Sequence, residues 1–535
     1  MDRTLLTLIR RWAMLAAAGL IALTQGCASL PPPPTDLEVT SAIPASTGTV
    51  LGRHAARDVA AAGDSGGSGF RPLPISTFSM DARLTLARNA QQSLDLQYYL
   101  LQNDVTGHKL LRAVRDASQR GVRVRVLVDD LYTDQSDRML LALAAYPNVQ
   151  VRLFNPFPAG RDFSATRWAF SLMDFARVNH RMHNKMFIAD GAFAVAGGRN
   201  IANEYFFHDQ SANFIDFDLL VAGDAVPRMQ TIFDTYWNSP RVYPLHSIEV
   251  SREAPQALQE AFEQLTADAD SAYPTPPANE PDVLGYLPLS ADLQRQAPLE
   301  MLYGRADVFA DSPEKVTGRS ETGTDSTTVT SRVLTAMGEA RSEVVLCSPY
   351  FVPGKAGMAK LSDMRSAGVR VSLLTNSLAA NDEPFASAAY ARYRAPMLKL
   401  GIGIDEVSSK ELARNGRAAM ALRGSIGRSH AKLLVLDRRI SFVGSMNMDL
   451  RSSRENTEVG LLIDSPALAR SILLLIEDVR SVGTYHLRLA DPGEGLQWVS
   501  TQQGIEEVHD SEPEVETGTR VKTLLLSPLV SEGLL

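Results

Sequence analysis

Two stretches of this 535-residue chain carry a histidine, a lysine two residues on and an aspartate five beyond that: HNKMFIAD (His183, Lys185, Asp190) and HAKLLVLD (His430, Lys432, Asp437). Each continues into a glycine turn and an asparagine, through Gly197, Gly198 and Asn200 in the first and Gly444, Ser445 and Asn447 in the second. Every matched position lies 247 residues from its counterpart, and the same interval separates Gly121 of GVRVRVLVDD from Gly368 of GVRVSLLTN. An internal repeat means one structural plan used twice. The chemistry these residue types can do is phosphoryl transfer. One imidazole attacks phosphorus while the other protonates the departing oxygen, and the roles reverse when a second nucleophile arrives. Lys185 and Lys432 would neutralise the non-bridging oxygens, with Asn200 and Asn447 adding amide donors where charge develops. Because the lysines supply that positive charge, no metal or cofactor is expected.

A histidine in this role needs a partner on its other ring nitrogen. Aligning DFDLL with TEVGLL on their leucine pairs sets Asp216 opposite Glu458, and Asp218 competes with Asp216 for the first position. Asp190 and Asp437 lie beyond the apolar run of each motif and are expected to support the turn or to pair with a base. A single histidine in a strand is most often a hydrogen-bonded core residue, and the doubling with matching turns is what raises this pair above that reading.

If the motifs are strands, His183 and Lys185 leave one face while Met186 and Ile188 point into the sheet, and His430, Lys432, Leu433 and Val435 repeat the arrangement. Around them, strand-like SLDLQYYLL, VRVRVLV, FAVAGG and FDLLVAG alternate with helical patterns near Met80–Gln91, Gly107–Ser118 and Pro227–Trp237. The second half repeats the plan with EVVLCSPYF and VRVSLL and with helices near Ser331–Ala340, after Pro353 and through YARYRAPMLKL. Strands alternating with helices predict an α/β protein with a mainly parallel sheet covered on both faces.

A chain this long divides into more than one unit. The reading is two halves, 76–250 and 301–485, separated by a polar linker over 251–300 and followed by a C-terminal extension over 486–535. Residues 28–75, rich in Pro, Gly and Ser with four prolines at 31–34, read as a flexible tether. Before it, Arg3, Arg10 and Arg11 precede an apolar run from Trp12 to Thr24, too short to span a bilayer comfortably, so residues 1–27 read as a signal peptide. LTQGCAS resembles a bacterial lipoprotein processing site, with Cys27 as the lipidated residue; a plain signal peptide or an uncleaved anchor is the alternative. Ala28 after the cysteine leans towards the outer rather than the inner membrane of a bacterial envelope. Cys347, the other cysteine, reads as a buried small hydrophobe. A net charge of -8 gives no global attraction to nucleic acid.

The two motifs with their Gly-x-x-Asn continuations resemble the phospholipase D superfamily. LDLQYYLLQNDVTG, RMHNKMFIADGAFAVAGGRNIANEYF, PYFVPG, LTNSLAANDEP and HDSEP are similar to bacterial cardiolipin synthases of the type without paired amino-terminal transmembrane helices. The resemblance covers Phe78 to the end. It implies two tandem αβα sandwich halves related by a pseudo-twofold axis, with the site at their interface and a covalent phosphohistidine. It also implies His183 as nucleophile and His430 as acid/base, with Glu458 acting on His183 and Asp216 on His430. Gly198 departs from the serine frequent in the first copy, a role left to Ser445.

The leading expectation is a membrane-associated phosphatidyltransferase that makes cardiolipin from phosphatidylglycerol, with phosphatidylglycerol or phosphatidylethanolamine as partner. Alternatives are a phospholipase D that passes the phosphoenzyme to water, a phosphodiesterase or nuclease using the same histidines, and an inactive lipid-binding envelope scaffold. Whether a small helper protein takes part is open.

Overall fold

The computed structural model describes residues 30 and 37–520, except 64–66, 162, 172–173, 271–272, 296, 319–326, 415–424, 492–494, 503–504, 517 and 519. The expected signal peptide and Cys27 therefore lie outside the described residues. The repeat read from the sequence is a repeat of sheet order. In the first half the strands run, from the outer edge inward, Val242–Pro244, Val149–Phe154, Arg123–Asp129, Ser93–Tyr98, Met186–Ala189, Phe193–Gly197, Asp218–Gly223 and Ser68–Leu73. In the second they run Thr484–Leu489, Gly403–Val407, Arg370–Asn376, Glu343–Cys347, Leu433–Leu436, Ile440–Gly444, Val459–Asp464 and Leu302–Ala310. Ser68–Leu73 pairs antiparallel with Leu302–Ala310, so the innermost strands of the two halves join them into one continuous sheet.

Alternation along each strand divides the core into layers. Val124, Val126 and Val128 face the outer core of the first half with the helices Ser76–Asn89 and Val105–Gln119, whereas Leu127 faces inward. The inner faces of both half-sheets bury one shared core. Met186, Ile188 and Leu219 meet Leu433, Val435 and Leu461 there, with Phe233 and Trp237 of helix Ala225–Trp237 and Ile472 and Ile476 of helix Pro466–Gly483. Each such fully buried side chain contributes on the order of 1.5–3 kcal/mol. Arg125 points into the same region and is paired there, with Nε 2.7 Å from Asp95 and the guanidinium 4.7 Å above the Phe233 ring.

The sheet is mixed rather than mainly parallel. Only three neighbouring strands of each half run parallel, because the motif strands return through short hairpins and a hairpin forces antiparallel pairing. The segment through YARYRAPMLKL is two helices, Pro384–Ala391 and Arg394–Lys399. Pro396 falls in the first turn of the second, where a missing N–H costs nothing.

Of the expected tether over 28–75, residues 37–63 and 67–75 are built into the fold. Thr40 O accepts from Arg125, Trp237 Nε1 donates to Thr40 Oγ1, and Thr49 caps helix Val50–Ala62, whose Leu51 and Ala55 are buried. Residues 68–73 are a central strand of the sheet. The 251–300 linker likewise carries helix Pro255–Leu265, whose Phe262 packs on Tyr146, and helix Leu289–Gln294, whose Ser290 N–H reaches Asp81. Beyond residue 485 the strands Leu496–Gln502 and Ile505–His509 extend the sheet past Thr484–Leu489, and Glu512 pairs with Arg394.

Candidate active site

Neither motif histidine sits within a strand. Strands Met186–Ala189 and Leu433–Leu436 begin just after the lysines, and each histidine is placed instead by a short parallel pairing with the opposite half. Strand Ile426–Ser429 runs parallel to Ala212–Ile215 with Ser429 opposite Ile215, so the next residue of each, His430 and Asp216, emerge side by side. A parallel bridge between Met182 and Thr457 does the same for His183 and Glu458. The backbone seals both crossings: His430 N–H donates to Ile215 O and His183 N–H to Thr457 O, each at 2.8 Å. As a result His183 Nδ1 lies 2.9 Å from Glu458 Oε2, and His430 Nδ1 lies 2.7 Å from Asp216 Oδ2. Tyr99 packs edge-on against His183 and Tyr205 against His430, at centroid distances of 4.9 and 5.1 Å.

The carboxylate partners differ in kind. Glu458 receives the Ser445 hydroxyl and, at 2.8 Å, the Ser452 hydroxyl. Among the described residues no hydroxyl donates to Asp216, which is pressed against Gly198, where a Cβ would come within 2.1 Å of its Oδ1. Gly198 thus admits the shorter acid. Asp218 is elsewhere, 2.7 Å from Ser79 Oγ and 3.0 Å from Arg83.

Burial governs the charges. It pushes His183 down to about 4, against the upward pull of Glu458, and holds His430 well below its ordinary value with Lys432 adding to the effect. Both imidazoles are therefore neutral at pH 7. Asp216 is raised to about 7 by burial. In Glu458 the same burial is more than offset by His183, Lys185 and Ser445, so it stays ionised. Lys432 is lowered by burial to about 8, and burial takes Lys185 well below its ordinary value. The lysines are not placed alike. Each donates to the carbonyl of its own histidine at 2.7 Å, but Lys432 Nζ also lies 2.8 and 2.9 Å from the two ring nitrogens of His430, whereas Lys185 lies 5.1 Å over the Tyr99 ring. With Nδ1–H directed at Glu458, the Nε2 lone pair of His183 has no lysine upon it.

Both histidines open into one cavity of about 680 Å³, with Asn200, Asn447, Tyr99, Tyr205, Tyr350 and Arg451 among its walls. Asn200 is partly committed: its amide donates to Tyr205 OH at 2.9 Å and accepts from Leu100 N–H at 3.3 Å. Asp190 and Asp437 lie away from the cavity and hold turns, each in the left-handed region at φ 50°. Asp190 accepts the N–H groups of Gln91, Gln92 and Ser93, and Asp437 those of Arg341, Ser342 and Glu343. Gly197 and Gly444 allow close strand approach, since a Cβ would meet Phe217 O at 2.3 Å and Val459 O at 2.4 Å.

Three positioning residues escaped the motif reading. Asp129 accepts Met182 N–H at 2.8 Å, and Asn376 accepts Ser429 N–H at 2.9 Å while donating to Ser429 O at 2.8 Å. Each pins the residue before a histidine, and the signal was available, because 129 and 376 are also 247 apart. Asp311 accepts Glu458 N–H at 3.0 Å, and the residue 247 before it is Asp64, outside the described residues.

Comparison with known proteins agrees with this architecture. A sequence model described as "Cardiolipin synthase, PLD-like domain" matches residues 84–237 and 333–477, one stretch in each half. The crystal structure of phosphatidylserine synthase from Haemophilus influenzae Rd KW20 aligns with a TM-score of 0.55 at 15% identity, covering 87% of this chain and 94% of that one, a likeness of fold. Cardiolipin synthase C of Escherichia coli K12 is 33% identical over 88% of this chain and 97% of its own length. Cardiolipin synthase 1 of Bacillus anthracis is 24% identical over 70% of this chain and 59% of its own length. The chain belongs to the phospholipase D-like cardiolipin synthase family, whose activity class is phosphatidyl transfer of the phospholipase D type.

Proposed function

We propose that this protein makes cardiolipin by transferring a phosphatidyl group between phospholipids through a phosphohistidine. His183 Nε2 attacks the phosphorus of phosphatidylglycerol or phosphatidylethanolamine, and a P–N bond forms as the P–O bond to the headgroup alcohol breaks. His430, charged by proximity to the anionic substrate, gives its proton to the departing oxygen. The hydroxyl of a second phosphatidylglycerol then yields its proton to His430 and attacks phosphorus, and the P–N bond breaks. Lys185 and Lys432 balance the phosphoryl oxygens from beneath, and Asn447 faces them from the cavity wall. The observation that carries this reading is the pair of rings in one cavity, each with Nδ1 on a carboxylate from the other half. The contrast between the lysines supports His183 as nucleophile, because only His430 has an ammonium against both ring nitrogens.

The substrates are lipids, and the proposal includes a membrane-tethered enzyme, lipidated at Cys27 and facing the periplasm from the outer membrane. Among the described residues no helix is long and apolar enough to cross a bilayer. The test is incubation of the full-length protein with phosphatidylglycerol, alone and with phosphatidylethanolamine, followed by mass analysis of the lipids. Cardiolipin that depends on both histidines supports the proposal. Phosphatidic acid alone would identify a hydrolase, and unchanged lipid turnover in a folded His183→Ala variant would remove the mechanism.

A further inference from the structure

One wall of the cavity is rich in acceptors that the transfer steps above do not use. Asp382 and Glu383 line it from the loop after strand Arg370–Asn376, and Asp449 and Asn456 from the segment after the second motif. Asn456 is 5% exposed and Asn447 9% exposed, and the side-chain oxygen of each has no hydrogen-bond partner. A buried acceptor without a donor is destabilising until a ligand or water supplies one. Beside them stand carboxylates with acceptor capacity to spare: Asp449 spends one oxygen on Ser452 N–H at 2.8 Å and Asp382 one on Tyr350 OH at 2.8 Å. Burial and then Asp382 hold Glu383 above its ordinary value, and burial raises Asp449 to about 6. Of the two arginines in the lining, Arg451 is engaged with the backbone and side-chain oxygens of Asn179. Facing an anionic phosphodiester, such a wall is repulsive unless it meets hydrogen-bond donors carried by the substrate itself.

Resting on the proposed transferase reading, we propose that Asp382, Glu383, Asp449 and Asn456 form the subsite for the exchanged headgroup, selecting one that carries several O–H or N–H donors. The position suits that task. Asp382 lies within electrostatic reach of His430, the ring that passes the proton to and from the headgroup oxygen, so the remaining donors of that headgroup fall on the carboxylates. Tyr350 OH, 2.8 Å from Asp382, fixes one of them.

The experiment uses the full-length protein with a phosphatidyl p-nitrophenol diester as donor, whose headgroup carries no O–H or N–H donor, and three soluble acceptors: glycerol, with further hydroxyls; ethanolamine, with an ammonium; and 1-propanol, with neither. Asp382→Asn, Asp449→Asn and Asn456→Ala are each expected to raise KM for glycerol or ethanolamine by about tenfold, the effect of one lost hydrogen bond, while transfer to 1-propanol stays within about twofold. A larger change with ethanolamine assigns the wall to ammonium headgroups, and a larger change with glycerol assigns it to polyols. Equal changes with all three acceptors, or none with any, overturn the subsite while leaving the transferase intact. Absence of transfer to every acceptor by the unsubstituted protein overturns the transferase reading, and the subsite with it.

Discussion

Gly198→Ala isolates the carboxylate that serves His430. The added methyl carbon would lie 2.1 Å from Asp216 Oδ1 and 2.7 Å from its Cγ, far inside contact distance, so the carboxylate must move. Asp216 is held by Phe217 N–H at 2.7 Å and by His430 at 2.7 Å, and of the two only the histidine bond lies on the reaction path. Losing a charge-assisted hydrogen bond costs about 1.5–3 kcal/mol, which is roughly a 10- to 150-fold fall in kcat. Overpacking adds about 1–3 kcal/mol of destabilisation, which a thermal melt followed by circular dichroism reads separately. The assay is turnover of phosphatidylglycerol with KM and kcat resolved, and KM is expected to change little. The mirror substitution, Ser445→Ala, introduces no clash and removes one hydroxyl from Glu458, so its effect should be about 2- to 12-fold. If Gly198→Ala keeps more than half of the wild-type kcat, the argument that Asp216 must stay beside His430 is wrong.

Activity should follow a broad bell in pH. His183 works unprotonated and is held at about 4, so the acid limb falls near pH 4 rather than near 6.5, and Lys432 at about 8 sets the alkaline limb as its charge is lost. Asp216, raised from 3.8 to about 7, makes its favourable contribution to stability below pH 4 and loses it as pH rises through 7, so Asp216→Asn should flatten the pH dependence of denaturant midpoints between those values. Asp190→Ala leaves three N–H groups without an acceptor, that of Ser93 buried, and forces alanine to φ 50°, and should cost roughly 2–4 kcal/mol in denaturant unfolding, whereas Asp190→Asn keeps an acceptor and should cost less than half of that. Asn376→Ala frees both backbone groups of Ser429 and should lower kcat by about tenfold with little change in KM.

The two-half plan was legible because the repeat preserves residue type at a fixed interval, and Asp216 and Glu458 could be named because leucine pairs bracket both. Their crosswise assignment came from the family resemblance. The physical origin of the crossing, parallel pairing of Ile426–Ser429 with Ala212–Ile215 and the Met182–Thr457 bridge, was hidden, since pairings over two hundred residues leave no local periodicity. Composition misled at the ends of the chain. Pro, Gly and Ser between 28 and 75 read as a tether, yet Thr40, Leu51 and strand Ser68–Leu73 dock through a few specific contacts that average composition does not register. The motif lysines lie just outside their strands because the apolar pattern starts at Met186 and Leu433, a boundary shift that alternation alone does not resolve.

The central claim is that two imidazoles share one phosphorus and that His183 bonds to it. The most direct measurement is mass analysis of His430→Ala after reaction with a phosphatidyl p-nitrophenol diester, whose leaving group needs no acid and whose adduct has no base to discharge it. A phosphatidyl adduct on His183, absent from the His183→Ala variant, is the predicted result; an adduct on any other residue, or turnover that persists in His183→Ala, contradicts it.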